Sequence, residues 1–178
     1  MKIRFGTSGW RAIIADEFTY QNVSVVSEAI CSYLKNNSVD KRQTLIIGHD
    51  SRFMGENFAE AASVIAKQKG FRVLLCESPT PTPTISHAIR SEKAVGGINF
   101  TASHNPPEYQ GIKFSTADGA PALPEITKQI EEIIENTPNV KDQSGGTIEK
   151  FDARSSYLDD LKTKIRFDQI AKAKGKYA

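Results

Sequence analysis

A serine and a histidine lie side by side in the stretch FTASHNPPEYQGIKF, which covers residues 100–114. Ser103 could act as a nucleophile, His104 could carry a proton, and Lys113 at the far end of the stretch could supply positive charge. Two prolines between them restrict the backbone. These residue types fit two interpretations: a rigid turn that happens to contain a serine, or a nucleophile that is held for chemistry.

The surroundings of Ser103 do not match the nucleophile elbow of a serine hydrolase. That elbow requires the pattern GxSxG, whereas the residues here are Thr-Ala-Ser-His-Asn. A serine–histidine pair alone is weak evidence for catalysis, because neighbouring side chains often point apart. No acidic residue is placed by the sequence to orient His104, so a hydrolase is disfavoured.

Three short apolar runs bounded by turn residues predict buried strands. They are TLIIG (44–48), RVLLC (72–76) and VGGINF (95–100). The stretch IKFST (112–116) predicts a further strand that returns antiparallel after the Ser103 loop, and TIEKF (147–151) predicts an edge strand. Ser103 therefore follows the carboxyl end of a strand, where ligands bind in open α/β sheets.

Apolar residues at spacings of three and four predict helices between these strands. Thr19 is a predicted N-cap for the first helix, and Gly70 is predicted to end the second in a left-handed conformation. Thr82 is a predicted N-cap with Pro83 at the first helical position. The apolar positions of the four helices lie within 23–34, 58–65, 85–89 and 126–134.

The alternation of strands and helices predicts an α/β protein, built as a three-layer α/β/α sandwich with a mixed, largely parallel sheet. We assign residues 1–154 to this domain. From Ser155 the sequence predicts a further helix with Leu158, Leu161, Ile165 and Ile170 on one face. We expect residues 155–178 to form a linker helix and the start of a second, truncated domain.

Composition excludes several classes of function. The chain has 178 residues with 23 basic and 21 acidic side chains interspersed, so no basic patch predicts nucleic-acid binding. No segment has the length or apolarity of a signal peptide or membrane span, and we expect a soluble, cytoplasmic protein. Cys31 and Cys76 lie in apolar patterns without a CxxC partner, which predicts buried, reduced thiols.

Four motifs in the sequence occur in the order that one enzyme family uses. They are FGTSGWR (5–11), GHDSR (48–52), PTPT (81–84) and TASHNP with PEYQGIK (101–113). Together they resemble the first domain of the α-D-phosphohexomutases, the phosphoglucomutase and phosphomannomutase family. Four ordered motifs are far more specific than one.

This resemblance implies a reversible phosphoryl shuttle. Ser103 would carry a phosphate, donate it to a hexose phosphate to give a hexose 1,6-bisphosphate, and recover the other phosphate. Phosphoryl transfer requires positioning and neutralisation of negative charge. Arg11, His104 and Lys113 would supply that charge, and either Lys113, our first choice, or His104 would act as general base.

The resemblance also implies supporting roles for other residues. Thr7, Ser8 and Gly9 would face the phosphoserine, and Asn105 would orient the loop. Asp50 and Arg52 are interpreted as a structural ion pair beside the site rather than as catalytic groups, and Gly111 as the residue that permits the return turn. His49 and His87 are interpreted as ordinary surface or core histidines.

The family binds Mg²⁺ through the phosphoserine and an acidic loop in its second domain, and no such loop is present in this sequence. Asp159 and Asp160 are adjacent on a predicted helix and make a poor cation site. Ser103, through its phosphate, would be the chain's one contribution to the metal site. We therefore expect the chain to be inactive alone and to need domains II–IV of a longer mutase.

The sequence does not decide which hexose phosphate is the substrate. Ser8 in FGTSG leans towards glucose or mannose over glucosamine phosphates, since the glucosamine enzymes more often have aspartate there. Gln110 and Ala12 depart from the family pattern without removing a charged or nucleophilic group. The alternative to a mutase domain is a non-catalytic module on the same fold that binds a phosphosugar or a protein.

Overall fold

The computed structural model describes residues 3–6, 9–37, 43–136, 145–173 and 175. The strands are β1 (Trp10–Ile13), β2 (Thr44–His49), β3 (Arg72–Cys76), β4 (Gly96–Phe100), β5 (Tyr109–Thr116) and β6 (Thr147–Phe151). The helices are α1 (Tyr20–Asn37), α2 (Gly55–Gln68), α3 (Thr82–Ser91), α4 (Pro124–Glu135), α5 (Ala153–Lys164) and α6 (Phe167–Lys172).

The six strands form one mixed sheet in the order β1-β5-β4-β2-β3-β6. Strands β4, β2, β3 and β6 are parallel, and β5 runs antiparallel to both β4 and β1. This confirms the predicted mixed, largely parallel sheet, the antiparallel return strand and the edge strand. Strand β1 was not predicted. It is only four residues long, and its sequence has no clear strand pattern of its own.

Successive side chains of each strand point to opposite faces of the sheet, so each face has its own core. Leu45 and Ile47 of β2 lie in the core that packs against α1, α2 and α4. Ile46 between them lies in a smaller core with Ile85 and Ile89 of α3. Helices therefore cover both faces, and the three-layer α/β/α sandwich is confirmed.

Two of the predicted helix boundaries are confirmed and one is wrong. The Thr19 hydroxyl accepts a hydrogen bond from the Asn22 N–H at 3.3 Å, as an N-cap does, and Gly70 has a φ of 81° after α2. The N-cap of α3 is Pro81 rather than Thr82, which places Pro83 at the second helical position. The Thr82 hydroxyl instead accepts a hydrogen bond from the Asn99 side chain at 3.0 Å.

The C-terminal helix differs from its prediction in its bounds. It begins at Ala153, because the Asp152 carboxylate accepts the N–H groups of Arg154 and Ser155, and it ends before Ile165. Ile170 lies in the separate helix α6 and is 61% exposed. Helix α5 packs against α3. The predicted domain division at 154/155 stays a prediction.

Candidate active site

Ser103 lies on the loop that follows β4, with its side chain exposed and its backbone in an unusual conformation. Its φ is 58°, in the left-handed region, which costs a non-glycine residue roughly 1–2 kcal/mol. The Ser103 N–H donates to the Thr101 hydroxyl at 3.0 Å, and the Asn105 N–H donates to the Ala102 carbonyl at 3.1 Å. The turn thus presents the Ser103 hydroxyl to solvent at the carboxyl end of a central strand.

Arg52 holds this loop from the other side. Its guanidinium donates to the backbone carbonyl oxygens of four loop residues: Ser103 at 3.0 Å, Asn105 at 2.6 Å, Pro106 at 2.8 Å and Tyr109 at 3.1 Å. The planar guanidinium suits this task because its donors have fixed directions. Arg52 therefore fixes the backbone around Ser103 at several points.

Asp50 orients Arg52. The Asp50 carboxylate accepts a hydrogen bond from the backbone N–H of Arg52 at 2.9 Å. It also lies 3.5 Å from the side-chain Nε of Arg52. The structural ion pair predicted for the two residues is confirmed. Its hold on the serine loop was not predicted, because that contact depends on β2 and β4 being neighbours in the sheet.

Arg11 reaches the same loop from strand β1. Its guanidinium donates to the Asn105 side-chain oxygen at 2.8 Å, so Asn105 is fixed by Arg11 through its side chain and by Arg52 through its backbone. In the register of the sheet, Arg11 is paired with Gly111 of β5. Gly111 therefore lies inside a strand, and its assignment to the return turn is wrong.

A glycine is required at position 111 because the backbone of two neighbouring segments approaches it closely. A side chain at this position would place its Cβ 2.6 Å from the Thr101 carbonyl oxygen and 2.9 Å from the Trp10 carbonyl oxygen. Both are backbone atoms of neighbouring strand segments, which cannot move aside easily. The absence of a side chain lets β1 and the start of the serine loop approach β5 closely.

Lys113 lies on β5, half-buried, two residues after Gly111. Burial lowers the pKa of its ammonium group, the nearby Arg11 lowers it further, and Asp50 partly opposes this by raising it. A lysine in these surroundings loses its proton more readily than one in water. The shift is in the direction that a general base requires.

His104, the second candidate base, makes only a long contact with Ser103. Its ring Nδ1 lies 3.4 Å from the Ser103 hydroxyl, and both side chains are exposed. The contact is longer than an ordinary hydrogen bond between these groups. His104 can nevertheless contact a phosphate attached to Ser103.

The N-terminal motif is only partly described. Gly9 has a φ of 127°, and a Cβ there would lie 2.2 Å from the Ile112 carbonyl oxygen, so the segment packs tightly against β5. Gly9 and Lys113 border the same small cavity. Thr7 and Ser8 lie outside the described residues, and their predicted contact with the phosphoserine stays a prediction.

The other polar candidates are used in packing. His49 is buried and hydrogen-bonds the Asp50 carbonyl oxygen through its Nδ1, and His87 packs against Tyr157 of α5. Cys31 and Cys76 are free and buried, and burial raises their pKa values to about 12 and about 11. Neither thiol is suited to nucleophilic chemistry.

The residues described do not fit a complete metal site. Within residues 3–6, 9–37, 43–136 and 145–173, no three His, Cys, Asp or Glu side chains lie together in a way that could hold a metal ion. Asp160 is paired with Lys164, and Asp159 with Lys162. Hard cations prefer six or more oxygen ligands, and a phosphate on Ser103 would supply only part of such a set.

Within the part of the chain that the structure describes, no helix is long and apolar enough to cross a membrane.

Comparison with known proteins finds relatives of most of this chain. The family model described as phosphoglucomutase/phosphomannomutase, alpha/beta/alpha domain I, matches residues 2–141. A solved protein from Thermus thermophilus, provisionally described as a phosphomannomutase, superimposes with a TM-score of 0.85 and 38% identity. That superposition covers 94% of this chain and 37% of the Thermus protein.

Two curated relatives carry different sugar names. A phosphoglucosamine mutase from Prochlorococcus marinus subsp. pastoris is 39% identical over 144 residues, covering 79% of this chain and 30% of the relative. A phosphoglucomutase from Staphylococcus haemolyticus is 31% identical over 144 residues, covering 78% and 25%. The chain thus spans about a quarter to a third of the length of these relatives. With the family model matching most of its length, the chain belongs to the phosphoglucomutase/phosphomannomutase family, whose α/β/α domain I it contains.

Proposed function

We propose that this chain is the catalytic-serine domain of a phosphohexomutase that interconverts hexose 1-phosphate and hexose 6-phosphate, with glucose or mannose as the sugar. The observation that carries the proposal is the presentation of Ser103. Its hydroxyl is exposed on a loop whose backbone Arg52 fixes at four carbonyl oxygens, including that of Ser103 itself. A loop held this firmly suits a group that must receive and donate a phosphate in one position.

In the proposed reaction the phosphate moves from Ser103 to the sugar and a second phosphate moves back. A free hydroxyl of the hexose phosphate attacks phosphorus, and the bond between phosphorus and the Ser103 oxygen breaks. The product is a hexose 1,6-bisphosphate and a free Ser103. After the bisphosphate reorients, Ser103 attacks its other phosphate, which leaves the isomeric monophosphate and regenerates the phosphoserine.

Each transfer needs a proton acceptor for the attacking hydroxyl and positive charge near the moving phosphoryl group. We assign the proton to Lys113, because burial and Arg11 lower the pKa of its ammonium group. His104 is the alternative base. Arg11 supplies fixed positive charge and, through Asn105, is joined to the loop that would carry the phosphate.

The magnesium ion that the family uses would contact the phosphate on Ser103 and take its remaining ligands from outside the described residues. Its chemistry would be to neutralise charge on the phosphoryl oxygens. The other domains of a longer mutase would supply those ligands and the contacts to the sugar. This division fits the share of each relative that the chain covers.

The experiment is to measure phosphate on Ser103. The chain is purified, incubated with glucose 1,6-bisphosphate and Mg²⁺, and examined by intact-mass and peptide mass spectrometry beside the protein isolated from its own cells. We expect one phosphate, on the peptide containing Ser103, in the native protein. The Ser103→Ala variant should carry none.

Ser51 serves as a matched control, because it is an exposed serine of the neighbouring loop. Replacing it by alanine should leave the phosphate in place. A native protein whose Ser103 never carries phosphate would instead support a non-catalytic module that binds a phosphosugar or a partner protein. Because the relatives carry names with different sugars, activity of the longer protein should be compared on glucose, mannose and glucosamine phosphates.

A further inference from the structure

The central strand β4 carries a buried amide on the face that α3 covers. Asn99 is 3% exposed, and its neighbours Ile98 and Phe100 point into the core on the opposite face. Its Nδ2 donates to the Thr82 hydroxyl at 3.0 Å, which fixes the plane of the amide. Its Oδ1 is buried and accepts no hydrogen bond from the described residues. A buried carbonyl oxygen that accepts no hydrogen bond is unusual, so a donor is expected near it.

Lys113 is the cross-strand neighbour of Asn99 on β5. Asn99 and Lys113 are directly opposite each other in the antiparallel pair of β4 and β5, so their side chains project from the same face. In the described part of the chain, Lys113 donates no hydrogen bond and forms no ion pair within 4 Å. The residue with the unpartnered acceptor and the residue with the unpartnered ammonium group are therefore direct neighbours across two strands.

A small cavity lies beside Lys113. Its volume is about 60 Å³, and its lining is mostly apolar, with hydroxyl groups from Ser115 of β5 and from Thr82 and Ser86 of α3. This volume is sufficient for one or two water molecules, and the hydroxyl groups supply the partners that buried water requires. Thr82 borders the cavity and also holds the Asn99 amide.

We propose that Asn99 is a positioning residue for Lys113: its side-chain oxygen accepts a hydrogen bond from the Lys113 ammonium through a water molecule held between α3 and β5. The amide thereby holds the lysine on the α3 face of the sheet and favours its charged form. This inference rests on the proposed function in one respect: the charge of Lys113 affects catalysis only if the proposed phosphoryl transfer takes place there. The contact itself does not depend on catalysis.

The charged groups that act on Lys113 come from two other elements. Arg11 on β1 and Asp50 after β2 have opposite effects on its charge. The α3 residues at the cavity, Thr82 and Ser86, are uncharged. A neutral amide acceptor on this side therefore stabilises the ammonium without adding a titrating group.

The test is an NMR titration of Lys113 in the whole 178-residue chain labelled with ¹³C at the lysine Cε, with the signal assigned by its loss in Lys113→Arg. Asn99→Leu removes the acceptor at similar size. We expect it to lower the titration midpoint of Lys113 by roughly 0.5–1 pH unit. Asn99→Asp adds a negative charge at the same place and should raise the midpoint.

The matched control is Asn136→Leu, the same substitution at the exposed end of α4, which should leave the midpoint unchanged. An unchanged midpoint in a folded Asn99→Leu chain would overturn the proposal. If Asn99→Leu does not fold, the Asn99→Asp midpoint decides, and a midpoint that does not rise would overturn it equally. The titration needs no turnover or phosphate, so its failure is distinct from an unphosphorylated Ser103.

Discussion

The residue that determines the geometry of the site is an arginine that is not placed in the chemistry. Arg52 bonds carbonyl oxygens at both ends of the serine loop, from Ser103 to Tyr109. Ser103 itself is in a left-handed conformation that its own side chain disfavours. Contacts from Arg52 to the surrounding backbone help to maintain that conformation, because they would be lost if the loop relaxed.

We predict that Arg52→Ala destabilises the chain by roughly 1–3 kcal/mol, because four carbonyl oxygens, two of them in part-buried hydrogen bonds, lose a charged donor at once. Arg52→Lys should not restore the wild-type value, since an ammonium group cannot reach the same set of acceptors in one plane. Urea unfolding measures the free energy, and mass spectrometry measures the phosphate retained on Ser103.

Arg72→Ala is the matched control for this substitution. Arg72 is an exposed arginine on β3 whose partner, Glu149, is also exposed, and its loss should change the free energy of unfolding less. If Arg52→Ala and Arg72→Ala had equal effects on stability and on the phosphoserine, Arg52 would be an ordinary surface residue.

At the scale of elements, the short strand β1 is what brings Arg11 to the serine loop. It is held by antiparallel pairing with β5, in a register that sets Arg11 opposite Gly111. Neighbouring backbone atoms approach Gly111 so closely that no side chain fits at this position of β5. The position of Arg11 therefore depends on a glycine two residues from Lys113.

We predict that Gly111→Ala destabilises the chain by roughly 2–3 kcal/mol, because its Cβ would overlap two backbone carbonyl oxygens. Thermal unfolding measures the loss, and hydrogen exchange should show weaker protection of β1 than of β2. Gly6→Ala is the control, since a Cβ at Gly6 would make only an ordinary contact at 3.6 Å. Equal melting temperatures for Gly111→Ala and the unmodified chain would contradict the argument from close approach.

At the scale of the whole molecule, the described residues form two cores, and no three His, Cys, Asp or Glu side chains among them could together hold a metal ion. Buried side chains on both faces of a six-stranded sheet give the chain the interior of an independent domain. The relatives it matches are about three times its length.

We predict that the purified 178-residue chain unfolds cooperatively but converts glucose 1-phosphate at a negligible rate. Folding requires only the cores, whereas turnover requires metal ligands and sugar contacts that we assign to other domains. A coupled assay for glucose 6-phosphate, run beside circular dichroism on the same sample, measures both. Sustained, Ser103-dependent turnover by this chain would show that the other domains are not needed.

Much of the architecture could be predicted from the sequence, because burial imposes period-two and period-3.6 patterns on strands and helices. The strand RVLLC was predicted with its observed bounds, and α1 with its cap at Thr19. Strand β1 was missed because pairing with β5, and not local preference, makes it a strand. Thr82 was wrongly predicted as an N-cap because its hydroxyl is used by Asn99, which is distant in sequence.

By itself, the sequence determined the family and the fold class, because four motifs in one order and an alternating apolar pattern are properties of the chain alone. It also identified Ser103, His104, Arg11 and Lys113 as candidates. Only the tertiary structure decided that Arg52 fixes the serine loop, that Gly111 lies within a strand, and that Asn99 lies opposite Lys113. Each of these facts is a contact between segments far apart in sequence, and residue spacing carries no record of such contacts.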